Sequence, residues 1–270
     1  MGGIEMAQEL AGKRALVTGS SSGIGVAIAK RLASDGARLV VHGRNVERAH
    51  KVAAEIRATG AEVHVAIGDL ARDDQAAAVG DIVEAALGGL DILINNAGGT
   101  ASGGGYSPWL DATPDEWIAA YQGNVVCGVR MIRRFVPGMK AAGWGRIVNI
   151  SSLVAHGPQV VIPDYAAAKS GVLSMTGGLA KTLANTGITV NSVSPGLILT
   201  PATEGWLRML AKQFNWGESW DEIEKRALAE LVPNSCGRIG RPEDIAQAVA
   251  YLVDPRTSFV TGTDMLVTGG

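Results

Sequence analysis

Cysteine is scarce in this chain, with two residues, Cys127 and Cys236, among 270. Cys127 falls in a helical pattern and Cys236 in a loop, so incidental or buried thiols are expected, without a disulfide or a metal site. No apolar run approaches the roughly 20 residues of a membrane span. The segment Met1-Gly-Gly-Ile-Glu-Met6 has no charged stretch followed by an apolar one, so no signal peptide is expected. Met6 also stands where an N-myristoylation motif wants Ser or Thr. Charged residues make up only 19% and the net charge is −2, with no basic cluster of the kind a nucleic-acid-binding surface carries. Internal repeats and linkers are absent. What remains is the expectation of one soluble domain over residues 1–270, located in the cytoplasm, with 47% apolar residues to fill a large core.

Apolar strand-like runs alternate with helical patterns, which predicts a parallel sheet with crossover helices. The expected strands are 13–18, 37–42, 61–67, 90–95, 145–150, 188–194 and 263–267. The expected helices are 23–34, 45–59, 73–87, 114–141, 163–185 and 242–253. Thr113-Pro114-Asp-Glu116 is a helix start with an N-cap, a proline and a glutamate in register, and Arg241-Pro242-Glu243-Asp244 is similar. The glycine- and serine-rich stretch from Gly98 to Ser107 reads as a loop over a ligand crevice.

Three runs aim polar groups at the edge of such a sheet. Lys13-Arg-Ala-Leu-Val-Thr-Gly19 is β-rich and leads through Gly19-Ser-Ser-Ser-Gly23-Ile-Gly25 into a helix. Strand, glycine-rich turn and helix form the setting a dinucleotide pyrophosphate needs, because backbone amides approach the phosphates and the helix N-terminus is partly positive. Leu90-Asp-Ile-Leu-Ile-Asn95-Asn96-Ala-Gly98 ends a buried strand in amides, and Ile147-Val-Asn-Ile150-Ser151-Ser152 ends another in hydroxyls. Tyr165 and Lys169 stand four residues apart in an alanine-rich helical stretch, hence on one face. A cation beside a phenol favours the phenolate and makes a usable proton donor and acceptor. Ser152, thirteen residues upstream, is a hydroxyl able to hold a carbonyl oxygen during that transfer.

With these pieces assembled, the chain resembles the short-chain dehydrogenase/reductase family, in its compact 3-oxoacyl-carrier-protein reductase-like branch. The matching segments are Thr18-Gly-Ser-Ser-Ser-Gly23-Ile-Gly25, Asp69, Asn95-Asn-Ala-Gly98, Asn124, Ser152, Tyr165 with Lys169, and Ser194-Pro195-Gly196. They run in the family's order from residue 11 to the end. The resemblance implies an α/β fold, a Rossmann-like doubly wound parallel sheet of about seven strands, with helices on both faces and a small helical substrate lid at about 200–238. It implies a catalytic tetrad of Asn124, Ser152, Tyr165 and Lys169, in which Asn124 holds a water connecting Lys169 to solvent. It assigns the dinucleotide to Gly19, Ser21, Ser22, Gly23, Ile24, Gly25, Arg44, Asp69, Leu70, Asn96, Ala97 and Gly98. Tyr165, Lys169, Pro195, Gly196, Ile198 and Thr200 complete that set. A homo-oligomer, a tetramer, is also implied.

The second strand runs into Gly43-Arg44, where NAD binders usually place an acid for the ribose hydroxyls. A guanidinium pairs with a 2′-phosphate, so NADP(H) is expected in preference to NAD(H). Ser22 stands before Gly23, where a basic residue would have added a second contact. Between Thr200 and Arg238 lie Trp206, Met209, Leu210, Phe214, Trp216 and Trp220. This concentration reads equally as an apolar pocket wall or as a helical pair packing its own core. Trp109, His156, Gln159, Val160 and Ile162 are further pocket candidates. Arg208 and Lys212 are candidates for a carrier phosphate. The leading expectation is an NADP-dependent reductase of small-molecule ketones, including 3-oxoacyl thioesters. An NAD-dependent alcohol or diol dehydrogenase and a non-catalytic nucleotide sensor stand behind it.

Overall fold

The computed structural model describes residues 9–100 and 108–270. Among them, seven strands form one sheet: β1 (Arg14–Val17), β2 (Arg38–Gly43), β3 (Val63–Ile67), β4 (Ile92–Asn95), β5 (Gly145–Ile150), β6 (Ile188–Pro195) and β7 (Asp264–Val267). Their order is β3-β2-β1-β4-β5-β6-β7 and every pair is parallel. All the strand C-termini therefore share one edge. The order reverses between β1 and β4, which is where open α/β sheets bind ligands.

Side chains alternate across the sheet with period two. Ala15, Val17, Leu39, Val41 and Ile94 face one layer, which holds α1 (Gly23–Ser34), α2 (Val46–Arg57) and α9 (Pro242–Val253). Leu16, Val40, Leu93 and Ile147 face the other layer, built from α3 (Asp73–Leu87), α5 (Cys127–Ala142) and α6 (Pro163–Thr182). Covered on both faces, β5 and β6 are buried along their whole length, and their buried polar side chains are hydrogen-bonded, Asn149 Nδ2 to Thr176 Oγ1 at 2.9 Å and Asn191 Nδ2 to Val260 O at 2.9 Å.

The sheet strands lie within two residues of their expected bounds, but the long helix expected at 114–141 does not run through. It divides into α4 (Pro114–Tyr121), a π-helical turn over Gln122–Val126, and α5. The cause is local. Asn124 Nδ2 donates to the Ala120 carbonyl at 2.8 Å, taking the acceptor that its own main-chain N–H would use in an α-helix. The α4 start carries the expected reciprocal cap, with Thr113 N donating to Glu116 Oε2 at 2.7 Å. Of the 98–107 loop, residues 101–107 lie outside the described residues.

Residues past β6 form α7 (Pro201–Phe214) and α8 (Trp220–Glu230). Leu207, Leu210, Ala211, Trp216, Ile223, Ala227 and Ile239 make a separate apolar cluster, with Trp206 and Trp220 packed against it. Of the two readings of this aromatic segment, the helical pair with its own core is the one observed. Met209 and Phe214 remain half exposed, and Phe214 stacks on Trp216 with centroids 5.8 Å apart.

Candidate active site

The glycine-rich turn follows β1 directly, and its glycines are required by close approaches. A side chain on Gly19 would lie 2.9 Å from Ala97 Cα, and Gly19 has φ 66°, a left-handed conformation. One on Gly25 would lie 2.6 Å from Asn96 Nδ2. Asn96 Nδ2 itself donates to the carbonyls of Thr18 at 2.9 Å and Gly19 at 3.2 Å. Thr18 Oγ1 accepts from Asn96 N and Ala97 N at 3.0 and 2.9 Å. The turn is thus bolted to the end of β4. Ser22 is extended just ahead of Gly23 and Ile24, with no side-chain cap on α1.

Past β4, Gly98 and Gly99 meet the π-turn. Asn124 Oδ1 accepts from Gly99 N at 3.0 Å, and Asn124 Nδ2 donates to Gly99 O at 2.9 Å. A side chain on Gly98 would collide with Asn124 Oδ1 and come within 3.3 Å of Lys169 Nζ. Lys169 is 4% exposed and its Nζ donates to the Ile150 carbonyl at 2.8 Å. Among the described residues this ammonium makes no ion pair. It lies 5.5 Å from the centroid of the half-buried Tyr165 ring, as expected for i and i+4 on α6. Asn124, Gly98, Lys169 and Tyr165 are therefore brought together at the strand C-termini.

Two serines follow Ile150 and differ in use. Ser151 is buried and its Oγ donates to the Lys169 carbonyl at 2.9 Å, fixing α6 to β5. Ser152 is half-buried, and its Oγ accepts only a long bond from Val154 N at 3.4 Å. Its hydroxyl proton stays available to a ligand. Ile162, just before α6, adopts φ 77°, a conformation a β-branched residue rarely takes.

The loop after β6 closes the crevice. Leu199 N donates to Gly240 O at 2.8 Å and Gly240 N to Leu197 O at 3.1 Å. In a parallel bridge this leaves the Ile198 N–H and C=O pointing away from Gly240. Gly196 N is held by Val267 O at 3.0 Å, just past the buried Pro195. Thr200 caps α7, accepting from Thr203 N at 3.2 Å, and its methyl lies 3.6 Å from where a Gly23 side chain would begin.

At the other end of the crevice Arg44 is exposed. Gly43 is closed to any side chain, because a Cβ there would lie 2.6 Å from Ser21 Cβ. Asp69 Oδ1 accepts from Ala71 N at 3.0 Å, so this carboxylate caps a turn while keeping its second oxygen free. Leu70 is buried beside it and its carbonyl accepts from Arg130 at 3.2 Å.

Several expected pocket residues serve elsewhere. His156 Nε2 lies 2.9 Å from Asp264 Oδ2, tying it to β7. Arg208 pairs with Glu204 at 2.8 Å within α7, an exposed i,i+4 ion pair. Trp109 and Val160 are mostly exposed and joined by a 3.2 Å backbone bond from Trp109 N to Val160 O. Gln159 folds onto its own loop, its Nε2 donating to Gly157 O at 3.4 Å.

One residue escaped the sequence reading. His42 ends β2 at 2% exposure, its Nδ1 accepting from Gly19 N at 3.0 Å and its Nε2 facing Gly68 O at 3.1 Å. The available signal was a lone imidazole in the otherwise apolar run Leu39-Val-Val-His42. Burial, opposed by the Gly68 bond and Asp69, lowers its pKa from 6.5 to about 4. The unfolded chain therefore binds this proton first as pH falls. Stability from this group is complete above pH 6.5, declines between pH 6.5 and 4, and levels below that. The shift corresponds to about 3 kcal/mol. Urea midpoints at pH 7 and pH 4.5 should show this loss, and His42→Asn should shrink it; an unchanged loss in the variant would refute the assignment.

Comparison with known proteins agrees with this geometry. The family model described as short chain dehydrogenase matches residues 13–210. The 3-oxoacyl-[acyl-carrier-protein] reductase of Pseudomonas aeruginosa is 34% identical over 261 residues, 97% of this chain and 98% of that one. L-sorbose reductase from Gluconobacter frateurii, solved with NADPH and L-sorbose, superposes with a TM-score of 0.90 at 33% identity, covering 98% of both chains. A 7α-hydroxysteroid dehydrogenase solved with NADH and 7-oxo glycochenodeoxycholic acid gives 0.85 at 32% identity, covering 97% and 95%. The chain is a member of the short-chain dehydrogenase family and an oxidoreductase of that type.

Proposed function

We propose that this enzyme is an NADP-dependent reductase that converts a ketone to a secondary alcohol, with Tyr165 as proton donor. The observation that carries the reading is the buried Lys169 ammonium, held by Ile150 O at 2.8 Å beside the Tyr165 ring and Gly98. The glycine cradle fits a dinucleotide: Gly19 and Gly25 admit no side chain, and Gly23 lies open toward Thr200. Two helix N-termini, those of α1 and α7, flank that opening and favour a pyrophosphate. Ile198 main-chain groups and Thr200 would hold the carboxamide end, while Asp69 would meet the adenine.

When bound, the dinucleotide supplies hydride to the carbonyl carbon. Ser152 donates a hydrogen bond to the carbonyl oxygen and orients it. Tyr165 gives its proton to that oxygen as the C–O double bond becomes single. Lys169 places positive charge beside the phenol and hydrogen-bonds the nicotinamide ribose. The Asn124 side chain is fully engaged by Gly99 and Ala120. A water linking Lys169 to solvent, the role proposed for Asn124, would therefore meet the main chain of that residue and not its side chain.

Preference for NADP rests on Gly43 and Arg44. Ser21 leaves no room for an acid at position 43, and Arg44 is free to pair with a 2′-phosphate. Arg44→Ser is expected to lower kcat/KM with NADPH about tenfold and leave that with NADH nearly unchanged. Initial rates with both cofactors check this, and an equal effect on the two would remove the argument. A second reading, NAD-dependent oxidation of an alcohol, is favoured by the relative that carries NADH. Substrate range is best found by following NADPH oxidation with ketones from acetoacetyl thioesters to bulky aryl ketones. No oxidation across that range, with alcohols oxidised on NAD, would establish the second reading instead. A homotetramer in the cytoplasm completes the proposal; no helix among the described residues is long and apolar enough to cross a membrane.

A further inference from the structure

Resting on the reading that this crevice binds a dinucleotide, we propose that His42 is the positioning residue of the dinucleotide-binding turn. It acts as a neutral imidazole that accepts from Gly19 and donates to Gly68. At 2% exposure it touches no ligand and works through the backbone on either side.

The tautomer follows from its partners. A main-chain N–H only donates, so Nδ1, 3.0 Å from Gly19 N, carries no hydrogen. A carbonyl only accepts, so Nε2, 3.1 Å from Gly68 O, carries the proton. Gly19 is the first residue of the turn, and its peptide is gripped on both sides. Its carbonyl takes Asn96 Nδ2 at 3.2 Å, and its N–H goes to the imidazole. Gly68 immediately precedes Asp69, the residue proposed to meet the adenine. One rigid ring therefore sets the separation between the phosphate turn after β1 and the adenine-side loop after β3.

The ring's own placement is fixed through β2. His42 N donates to Ser20 Oγ at 3.0 Å, and Ser20 Oγ donates to Val17 O at 2.7 Å. The strand end, the turn and the ring thus form one hydrogen-bonded unit. A glycine-rich turn is intrinsically mobile, because glycine populates many backbone conformations. Anchoring it before the ligand arrives removes an ordering cost from binding, and such a cost appears in affinity.

Two substitutions separate the two bonds. Asparagine places Oδ1 near the position of Nδ1 and keeps an acceptor for Gly19 without a partner for Gly68. Glutamine reaches Gly68 with its Nε2 and leaves Gly19 without an acceptor. Leucine keeps volume and makes neither bond. NADP⁺ affinity is read by quenching of intrinsic tryptophan fluorescence, and kcat at saturating cofactor by NADPH oxidation. The expected result is at least tenfold weaker NADP⁺ binding in His42→Leu and His42→Gln, rescue to within threefold of wild type in His42→Asn, and kcat within twofold throughout. Should the leucine variant not fold, the asparagine–glutamine pair decides. Glutamine binding as well as asparagine, or kcat falling while affinity holds, overturns the proposal. Wild-type protein that binds no dinucleotide overturns the dinucleotide reading itself, and this inference with it.

Discussion

Replacing Tyr165 by phenylalanine lowers kcat by about a thousandfold while NADPH affinity stays within threefold of wild type. The expectation rests on the division of labour in the crevice. General acid catalysis by a positioned side chain contributes roughly 10²–10⁴-fold, and the Tyr165 ring lies 5.5 Å from the buried ammonium. The ring itself is half-buried on α6 and phenylalanine preserves its packing, so the cradle formed by Gly19, Asn96 and Thr18 is untouched. Stopped-flow reduction of a ketone, paired with a fluorescence titration of NADPH, measures both quantities. Normal turnover in the variant would remove Tyr165 from the mechanism, and loss of affinity with normal turnover would reassign it to binding.

Replacing Lys169 by methionine should do both kinds of damage. Its Nζ is held by Ile150 O at 2.8 Å and borders Gly98, where the ribose is proposed to lie. A hydrogen bond to a charged group is worth about 1.5–3 kcal/mol, so NADPH affinity falls roughly tenfold or more. Loss of the cation beside the phenol lowers kcat at saturating cofactor by at least about a hundredfold. The pairing of effects distinguishes this variant from Tyr165→Phe. A methionine enzyme with reduced kcat and unaltered cofactor affinity would contradict the ribose contact.

Much of the architecture was legible because parallel strands buried on both faces carry apolar centres. Ile92 to Ile94 and Ile147 to Val148 are such centres, each followed by an asparagine, Asn95 or Asn149. Tyr165 and Lys169 could be paired from spacing alone, since a helix puts i and i+4 on one face. The π-turn was not legible. It arises because the Asn124 side chain reaches both Ala120 and Gly99, and Gly99 belongs to another part of the chain. Nor could periodicity decide what the tryptophans past Thr200 do. An amphipathic helix pair shows the same pattern whether its apolar face meets a ligand or, as with Leu207, Trp216 and Ile223, meets itself. His42 was opaque for a related reason: its two partners are 23 and 26 residues away in sequence and meet only across the sheet.

Transfer of label from NADPH carrying deuterium at both positions of the reactive ring carbon tests the central claim most directly. Mass spectrometry should find deuterium on the carbinol carbon of the alcohol formed from a ketone substrate, and the amount of that alcohol made in a fixed time should be about a thousandfold lower with Tyr165→Phe, although both proteins bind the cofactor. Unlabelled alcohol from the wild type, or equal amounts of labelled alcohol from the two proteins, would contradict the account.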